Sequence, residues 1–254
     1  MKNKIIHNKF NDKESFLDSI ILNYNTKGEN FGKQDRNSIK LFELDKQIIN
    51  VKSFKIPNIV NQLAYQLFRK SKAQRSFEYA CRLKEFGIGT PQPIAYYEFS
   101  KPFLFKKSYY ISEHLSYDLT YRELTTDFNY PNHENIIRAF TRFTFKLHEK
   151  GIHFLDHSPG NTLIKADNDD YQFYLVDLNR MEFKTLDFET RIKNFSRLAT
   201  HKSMIEVMSD EYSKCICMEY TKVFNLMWKE TQDFQDKFHR KKRLKKKLLF
   251  WRNR

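Results

Sequence analysis

One short stretch of the sequence carries polar side chains of the kind that assist phosphoryl transfer. It reads GIHFLDHSPGNTLI over residues 151–164, and Asp156 precedes Asn161 by five positions. A carboxylate in such a loop can accept the proton of an attacking hydroxyl, while a carboxamide oxygen can bind a metal ion on the nucleotide phosphates. A second acid, Asp177, ends the apolar run YLVD 16 residues beyond Asn161.

The spacing of Asp156 and Asn161 does not by itself identify a site. The same spacing occurs at three other places in this Asn-rich chain: Asp18/Asn23, Asp45/Asn50 and Asp127/Asn132. Asp and Asn also commonly cap turns, which is the simpler interpretation of each pair. Position distinguishes the fourth pair, because it follows a helical pattern and precedes two strand patterns. If those strands form a hairpin, Asn161 and Asp177 come close together and face Asp156, and Gly160 lets the loop turn the Asn161 amide toward the metal.

The first 100 residues or so have mainly strand character with one helical insert. Short β-branched and aromatic runs at 38–42 and 46–54 predict two strands, joined by a turn at Glu-Leu-Asp. Residues 58–87 have apolar side chains at helical spacing, among them Leu63, Leu67 and Phe68, and Gly87 suits the C-terminal end of this helix. Strand patterns resume at 93–99 and 108–115.

The second half of the chain changes period. Residues 133–151 predict an amphipathic helix that stops at Gly151, and two more helical patterns cover roughly 187–208 and 210–235. A strand-rich part followed by a helix-rich part predicts an α+β fold with two lobes, at 1–114 and 115–236. A basic amphipathic tail at 237–254 follows.

Composition limits the cellular setting. The chain has 254 residues, of which 40% are hydrophobic, so it can bury a sizeable core. Its three cysteines, Cys81, Cys215 and Cys217, fit neither a disulfide framework nor a zinc site, and we expect a reducing compartment, the cytoplasm. No apolar run approaches the ~18 residues of a spanning helix, and the apolar run near the start is too short for a signal peptide.

These residues resemble a known family. HFLDHSPGN, YLVDLNR and the long stretch SKAQRSFEYACRLKEFGIGTPQPIAYYE look like the bacterial lipopolysaccharide core kinases, the Kdo/heptose kinase branch of the protein-kinase-like fold. The resemblance runs from about residue 28 to about residue 200. It implies a kinase-like bilobal α+β fold, with a small strand-rich N-terminal lobe and a larger helical C-terminal lobe, and it implies ATP and Mg²⁺ as cofactors.

The resemblance also implies a role for each residue that matches the family motif. Asp156 matches the catalytic base, and Asn161 and Asp177 match the metal ligands. The remaining matches concern the nucleotide. Lys52 matches the strand lysine that contacts the phosphates, and Glu78 matches the helix glutamate paired with it. Glu113 and His114 match the hinge that holds adenine, and Gly28 and Gly32 match the glycines of the phosphate-covering loop.

Some departures and alternatives remain at these positions. His153 precedes Asp156 by three residues rather than two, and Asp177 is followed by Leu-Asn-Arg instead of Phe-Gly. Lys55 competes with Lys52 as the phosphate-contacting lysine. Glu85 competes with Glu78 as the helix glutamate. The alternative interpretation of Glu78 is a charged side chain that faces solvent. For His153 and His157 we expect hydrogen bonds that order the loop, not metal ligation.

The net charge of +14 is concentrated at the end of the chain. Residues 237–254 hold ten Lys and Arg and no acid, which leaves the first 236 residues at +4. Leu244, Leu248, Leu249, Phe250 and Trp251 lie among these lysines, so a helix here would suit an anionic membrane surface. A solvated run and a nucleic-acid arm are the alternatives, and nucleic acid is the least favoured because the rest of the chain offers no base-reading positions.

We therefore expect an ATP-dependent phosphotransferase with an alcohol group as acceptor. The resemblance implies a sugar hydroxyl, Kdo or heptose, of the lipopolysaccharide inner core, carried on a lipid-linked acceptor. The enzyme would work in the cytoplasm, peripherally at the inner face of the inner membrane. Two alternatives are a kinase of the same fold acting on a protein or small-molecule hydroxyl, and a non-catalytic kinase-like module that docks on membrane or RNA.

Overall fold

A computed structural model describes residues 3–32, 37–67, 69–102, 104–167 and 170–252. The chain forms two compact units, so the architecture is α+β with a strand-rich first unit and a helical second one. The first unit consists of Met1–Ser116 together with Tyr174–Arg180, and the second of Tyr117–Phe173 together with Met181–Arg254. A segment from the second half of the sequence thus returns to the first unit. All three cysteines are free thiols.

The first unit is built on a six-stranded sheet in the order β1-β5-β6-β4-β3-β2. Its strands are β1 (Asn3–Ile6), β2 (Glu29–Asn30), β3 (Asn37–Leu44), β4 (Gln47–Phe54), β5 (Pro93–Lys101) and β6 (Leu104–Glu113). Its helices are α1 (Glu14–Leu22), α2 (Ile59–Leu67) and α3 (Lys72–Glu85). Every strand pair in the sheet for which a register is defined is antiparallel.

Strand alternation places the two faces of β4 in different environments. Ile49 and Val51 are fully buried in the cluster that includes Leu17 and Ile20 of α1. Phe54 faces the other side and packs with Phe77 of α3. Lys52 has the same parity as Phe54, so it belongs to the face that α3 covers.

The turn between β3 and β4 lies later than the sequence pattern predicts. Asp45 and Lys46 have φ values of 48° and 67°, and Leu44 pairs with Gln47 across a two-residue loop. Two consecutive positive φ values define the type I′ turn, whose twist matches that of the flanking strands. Glu43 and Leu44 therefore belong to the strand.

The helical segment predicted over 58–87 is two helices. α2 ends at Leu67 and α3 begins at Lys72, where the Ser71 side chain accepts a hydrogen bond from the Gln74 amide and caps the helix. Not every apolar residue at helical spacing in this segment is buried, since Leu63 is 42% exposed. Ile59 and Val60 are still more exposed, whereas Tyr65 is buried. Phe68 lies outside the described residues.

The second unit contains five helices and two small sheets in its described part. The helices are α4 (Tyr121–Thr126), α5 (His133–Glu149), α6 (Phe188–Lys193), α7 (Lys202–Cys215) and α8 (Tyr220–Arg252). The strands are β7 (Leu119–Thr120), β8 (Ile152–Phe154), β9 (Thr162–Asp167), β10 (Asp170–Leu175), whose last residues belong to the first unit, and β11 (Met181–Phe183). They pair as β10-β9-β7 and β11-β8.

The apolar side of α5 forms the centre of this unit. Ile136, Ile137 and Phe140 are buried in one cluster with residues from α7 and α8, as the helical spacing predicts. Gly151, just past the helix, has a φ of +66°, and a Cβ there would lie 2.9 Å from the Lys184 carbonyl oxygen. The glycine thus permits both the left-handed turn and the approach of β11 to β8.

Helix α8 leaves the core part-way along its length. Val223, Met227 and Thr231 are buried at four-residue intervals, and every described side chain from Asp236 to Lys246 is exposed. The helix has no boundary at residue 237, where the sequence pattern placed the start of a tail. The side chains of Leu248, Leu249, Phe250 and Trp251, which the amphipathic interpretation of the tail used, lie outside the described ones. Within the described residues, no helix is both long and apolar enough to cross a membrane.

Candidate active site

Asp156 and Asn161 lie on one short loop of the second unit, between β8 and β9. The Asn161 side-chain amide donates from Nδ2 to the Asp156 carbonyl oxygen at 2.8 Å. The backbone amide of Asn161 donates to the Ser158 carbonyl, closing a 3₁₀ turn over Pro159–Asn161. Because Nδ2 points back at the loop, Oδ1 is the Asn161 atom left to bind a cation.

The Asp156 carboxylate is paired with a residue that the sequence analysis did not identify. Arg197 donates from Nη1 to Asp156 Oδ1 at 2.8 Å, and the two side chains are 36% and 25% exposed. Arg197 lies in the segment that links α6 to α7. The acid predicted to act as the base is therefore held by a fixed cation of its own unit.

Asn194 ties the same segment to the backbone of the loop. Its Nδ2 donates to the Phe154 carbonyl at 2.9 Å, and its Oδ1 lies 3.2 Å from His148 Nε2 and 3.4 Å from His157 Nδ1. Tyr212 completes the network by bonding to His148 Nδ1 at 2.8 Å. Both imidazoles are buried, so the loop is anchored from below by a neutral polar network.

Burial sets the charge state of these two histidines. It lowers the pKa of His148 to about 3 and that of His157 to about 4, although the hydrogen bonds to Asn194 act in the opposite direction. Both rings are therefore neutral near pH 7. His157 makes the hydrogen bond that the sequence predicted, and His153 lies 3.3 Å from Glu182 across the β8–β11 pair.

The expected role of Gly160 is not what the backbone shows. Gly160 is absent from the positions of positive φ among the described residues, so no left-handed turn requires a glycine there. A Cβ at this position would instead lie 2.5 Å from Nη2 of Arg122. The contact is with the far end of a flexible side chain, so Gly160 leaves room for Arg122 over the loop.

Lys52 and Asp177 meet in the first unit. Lys52 Nζ lies 2.6 Å from Asp177 Oδ1, and only 15% of the Lys52 side chain is exposed. Asn179 donates to the same oxygen at 2.8 Å. Lys55 follows the end of β4 and is exposed, so of the two candidate lysines it is Lys52 that reaches the acid.

Asp177 itself adopts an unusual backbone conformation, with a φ of 58°. Non-glycine residues in this left-handed region are uncommon, and they concentrate at functional sites. Burial alone would raise the pKa of Asp177, but the charge and hydrogen bond of Lys52, with the Asn179 bond, hold the pKa below its usual range. The carboxylate therefore stays ionised.

The pairing of Glu78 with Lys52 that the family resemblance implies is not formed. Glu78 accepts from Lys70 Nζ at 2.7 Å and from Gln74 Nε2 at 2.9 Å. No ion pair among the described residues joins Glu78 to Lys52. Each side chain has a different partner: Lys52 contacts Asp177, and Lys70, just before α3, reaches Glu78.

The two glycines predicted to cover the phosphates have positive φ, +83° at Gly28 and +67° at Gly32. A Cβ at Gly28 would lie 2.5 Å from the Phe42 ring, whereas nothing lies within 4 Å of one at Gly32. Gly28 thus has a packing reason to be glycine, and Gly32 has only a conformational one. The rest of this predicted loop, residues 33–36, lies outside the described residues.

At the predicted hinge, both amide N–H groups already have partners. Glu113 donates to the Gln92 carbonyl at 3.0 Å and His114 to the Ile48 carbonyl at 2.9 Å. These amides therefore cannot donate to adenine without breaking those bonds. The carbonyl oxygens of the two residues, each with two lone pairs, are the hinge atoms that could contact a base.

The oxygen donors fit the divalent cation that the family implies. Asp177 receives both of its hydrogen bonds on Oδ1, which leaves Oδ2 for a cation, and Asn161 presents Oδ1. Carboxylate and carboxamide oxygens are hard ligands suited to Mg²⁺. Asn161 and Asp177 belong to different units, and their approach to each other stays a prediction.

Arg197 and Asn194 contact the Asp156 loop and were not identified from the sequence. Each contacts the loop from about 40 positions away, and neither belongs to a spaced motif. The only local signal is a polar pair, Asn194 and Arg197, between the apolar residues of a helix end. That signal is too common to identify a contact.

The strand-rich unit carrying a lysine–aspartate pair and the helical unit carrying an Asp/Asn loop together define a protein-kinase-like fold. Among solved structures, WaaP in complex with acyl carrier protein matches with a TM-score of 0.63 at 14% identity, covering 91% of this chain and 98% of that one. The Mycobacterium tuberculosis PknI kinase domain matches with a TM-score of 0.45 at 14% identity, over 71% of each chain. Among curated proteins, no sequence relative matches this chain.

Residues 54–217 match the model of the lipopolysaccharide kinase (Kdo/WaaP) family. The chain therefore belongs to that family, as its sequence motifs predicted. Membership makes it a kinase of lipopolysaccharide biosynthesis and implies the use of ATP.

Proposed function

We propose that this protein transfers the γ-phosphate of ATP to a hydroxyl of a Kdo or heptose sugar in the lipopolysaccharide inner core. The observation that supports this most directly is the loop in which the Asn161 amide clamps the backbone of Asp156. It presents a carboxylate and a carboxamide oxygen from one rigid turn, as phosphoryl transfer requires. The Lys52–Asp177 pair supplies a cation and a second carboxylate.

Each residue has a defined task in this reaction. Asp156 accepts the proton of the sugar hydroxyl as that oxygen forms its bond to the γ-phosphorus and the bond to ADP breaks. Lys52 holds the nucleotide phosphates by charge, which requires its ammonium to turn from Asp177 toward the anion. Asn161 and Asp177 would hold Mg²⁺, which when bound neutralises charge on the phosphates.

Replacing the base tests the proposal. Asp156→Asn keeps the size and polarity of the side chain but cannot take the proton, so we expect phosphorylation of Kdo–lipid A in detergent micelles to fall about 10²- to 10⁴-fold. Binding of ATP with magnesium, followed by thermal shift, should persist. Product is measured by mass spectrometry.

Asp127→Asn is the matched control, because Asp127 also precedes an Asn by five residues but caps a turn. It should leave turnover within about twofold of the wild type, as expected for a surface change. Undiminished transfer by Asp156→Asn would refute the base assignment. A wild-type protein that phosphorylates only a peptide or a small alcohol would instead move the acceptor to another class.

The described part of α8 supports action at an anionic surface. Between Lys237 and Lys246 it carries seven Lys and Arg and no acid, all with exposed side chains. Each such residue near an anionic bilayer contributes about 1 kcal/mol of binding. The acceptor is a lipid-linked sugar, so a membrane-facing helix would bring the enzyme to it.

Helix α2 offers a second surface of this kind in the first unit. Ile59, Val60 and Leu63 are exposed at helical spacing, and from Lys55 to Arg75 the only charged residues are basic. Exposed apolar side chains flanked by basic ones are typical of helices that lie in a membrane interface. We therefore expect peripheral attachment at the inner face of the inner membrane.

Vesicle binding distinguishes the two surfaces. Replacing Lys241, Lys242 and Arg243 by Gln should weaken binding to phosphatidylglycerol vesicles about tenfold or more. The difference in affinity between this variant and the wild type should shrink as the salt concentration rises. Val60→Ser should weaken binding at all salt concentrations. Vesicle binding that neither change affects would exclude both surfaces as the membrane contact. Absence of vesicle binding in the wild type would exclude the membrane role, and an acyl carrier protein, present in the solved WaaP complex, is then the partner to test.

A further inference from the structure

We infer that Arg197 is a positioning residue for the Asp156 carboxylate, and that Phe234 of α8 positions Arg197. The inference rests on the proposed function, since it assigns the proton-accepting role to Asp156. It links the helix that carries the basic surface to the loop that carries the chemistry, through side chains of a single unit.

The link begins at the carboxylate. Arg197 Nη1 donates to Asp156 Oδ1 at 2.8 Å, which fixes one oxygen of the acid. The hydrogen bond from Asn161 reaches the Asp156 backbone only. The Asn161 bond therefore does not fix the side-chain torsions of Asp156. Arg197 is placed to orient the carboxylate group.

The link continues to α8. The guanidinium carbon of Arg197 lies 5.4 Å from the centroid of the Phe234 ring, within the range of a cation–π contact. A planar guanidinium can stack on a ring and donate along its edge at the same time, which an ammonium cannot do. Phe234 thus limits the positions from which Arg197 can reach the carboxylate.

Two further contacts show that α8 holds the whole Arg197 segment and not one side chain alone. Lys193 lies 3.6 Å from Glu230, and Gln235 Nε2 donates to the Thr200 carbonyl at 3.3 Å. The partners on α8 are Glu230, Phe234 and Gln235, of which Glu230 and Phe234 are four residues apart and lie on the same face of the helix. Asn194 then connects the same segment to the Phe154 carbonyl.

The consequence is that kcat depends on residues that touch neither sugar nor nucleotide. Arg197→Ala should lower kcat for Kdo–lipid A phosphorylation about tenfold to a hundredfold while leaving the KM for ATP nearly unchanged. Arg197→Lys, which keeps the charge but loses the planar fork, should recover part of that loss. Phe234→Ala should lower kcat by about threefold to tenfold, and Phe234→Leu by less.

A double-mutant cycle separates positioning from general structural damage. In the Asp156→Asn background, Arg197→Ala should cause no further loss beyond about twofold, because the group that it positions no longer accepts a proton. A merely structural arginine would lower the residual rate again. Asp233→Asn, an exposed position of the same helix outside the contacts to the Arg197 segment, is the control and should retain wild-type kcat.

A measurement without ATP or acceptor checks the same idea. Amide exchange at His157 and Asn161, whose N–H groups close the loop turns, should accelerate in Arg197→Ala and Phe234→Ala but not in Asp233→Asn. Unchanged exchange and unchanged kcat in Arg197→Ala, with an active wild type, would overturn the inference while leaving the proposed function intact. A wild type inactive both on Kdo–lipid A and in ATP hydrolysis would overturn both.

Discussion

Two ion pairs, one in each unit, differ in the structural elements that position them. Lys52 and Asp177 meet where a strand lysine covered by α3 reaches a carboxylate in a left-handed backbone conformation. Arg197 and Asp156 meet where an irregular segment reaches a loop. In the first pair the cation is the less exposed partner, 15% for Lys52 against 34% for Asp177, and in the second pair it is the acid, 25% for Asp156 against 36% for Arg197.

The difference teaches what each pair is suited to do. In the first pair, the lysine and the acid satisfy each other until an anion and a cation replace the mutual contact. In the second, the arginine has no such exchange to make, because its planar fork can hold the carboxylate while the ring of Phe234 holds the arginine. Under the proposed function, the first pair is a ligand site in a resting arrangement and the second is a support.

The largest effect should come from breaking the first pair. Lys52→Gln removes the charge proposed to hold the phosphates, so we expect kcat/KM for ATP to fall about 10²- to 10³-fold. Lys55→Gln, three residues along the chain on an exposed site, is the matched control and should change kcat/KM less than about twofold. Equal losses in the two variants would mean that position in the sheet does not select the lysine.

Acid should weaken the support beneath the second pair. The pKa of His148 is about 3 and that of His157 about 4 in the folded protein, against about 6.5 in the unfolded chain. Each neutral ring thus contributes stability that is present above pH 6.5 and is lost as the pH falls toward the folded pKa. At pH 5 the loss is about 2 kcal/mol for each histidine.

Urea unfolding at pH 7.5 and at pH 5 measures this loss. His148→Gln removes one of the two buried rings. The free energy of unfolding should therefore fall between pH 7.5 and pH 5 by about 2 kcal/mol less than in the wild type. A free energy of unfolding that does not change between the two pH values would contradict the prediction that both rings stay neutral.

Adding a methyl group at Gly151, just before β8 and the Asp156 loop, should have a slightly smaller effect. Gly151→Ala meets both a left-handed φ and the Lys184 carbonyl oxygen at 2.9 Å, so we expect the free energy of unfolding to fall by about 2 kcal/mol. Gly87→Ala has a similar φ but open space around its Cβ, and should lose only about 1 kcal/mol. Identical losses would show that the close approach of Lys184 is unimportant.

The smallest effect concerns the exposed ion pair between Lys70 and Glu78, which contrasts with the less exposed Lys52. Lys70→Gln removes an exposed ion-pair partner, so the free energy of unfolding should change by less than about 1 kcal/mol. Lys84→Gln, a lysine within α3, is the control. A loss of several kcal/mol in Lys70→Gln alone would mean that the Lys70–Glu78 pair holds α3 in place.

The sequence identifies both members of the first pair, although it paired Lys52 with Glu78 and not with Asp177, whereas it misses Arg197 of the second pair for a physical reason. Alternation along a strand fixes which side chains share a face, so the two-residue spacing alone assigns Lys52 to the face of Phe54. Arg197 lies on a segment with no period, where spacing carries no directional information. Contacts across about 40 residues between two irregular segments depend on tertiary packing alone.

Local signals explain the remaining differences between prediction and structure. Helix α1 (Glu14–Leu22) was missed because its short apolar pattern lies among charged residues near the start of the chain. The sequence does carry a signal for the break between α2 and α3, because Ser71 is a favourable N-cap residue. The apolar pattern continues across Ser71, so the segment was predicted as one helix. The turn at Asp45 and Lys46 is set by backbone twist, which residue preference alone does not report.

The continuity of α8 has a consequence for any shortened form of the protein. A chain that stopped at residue 236 would end only two residues beyond Phe234, within the last turn of the helix, where backbone hydrogen bonds open most readily. Loss of the positive surface and fraying beside Arg197 would then occur together. Neutral substitutions from Lys237 to Lys246 separate the two, because they leave the backbone wound through Phe234 while they remove the charge.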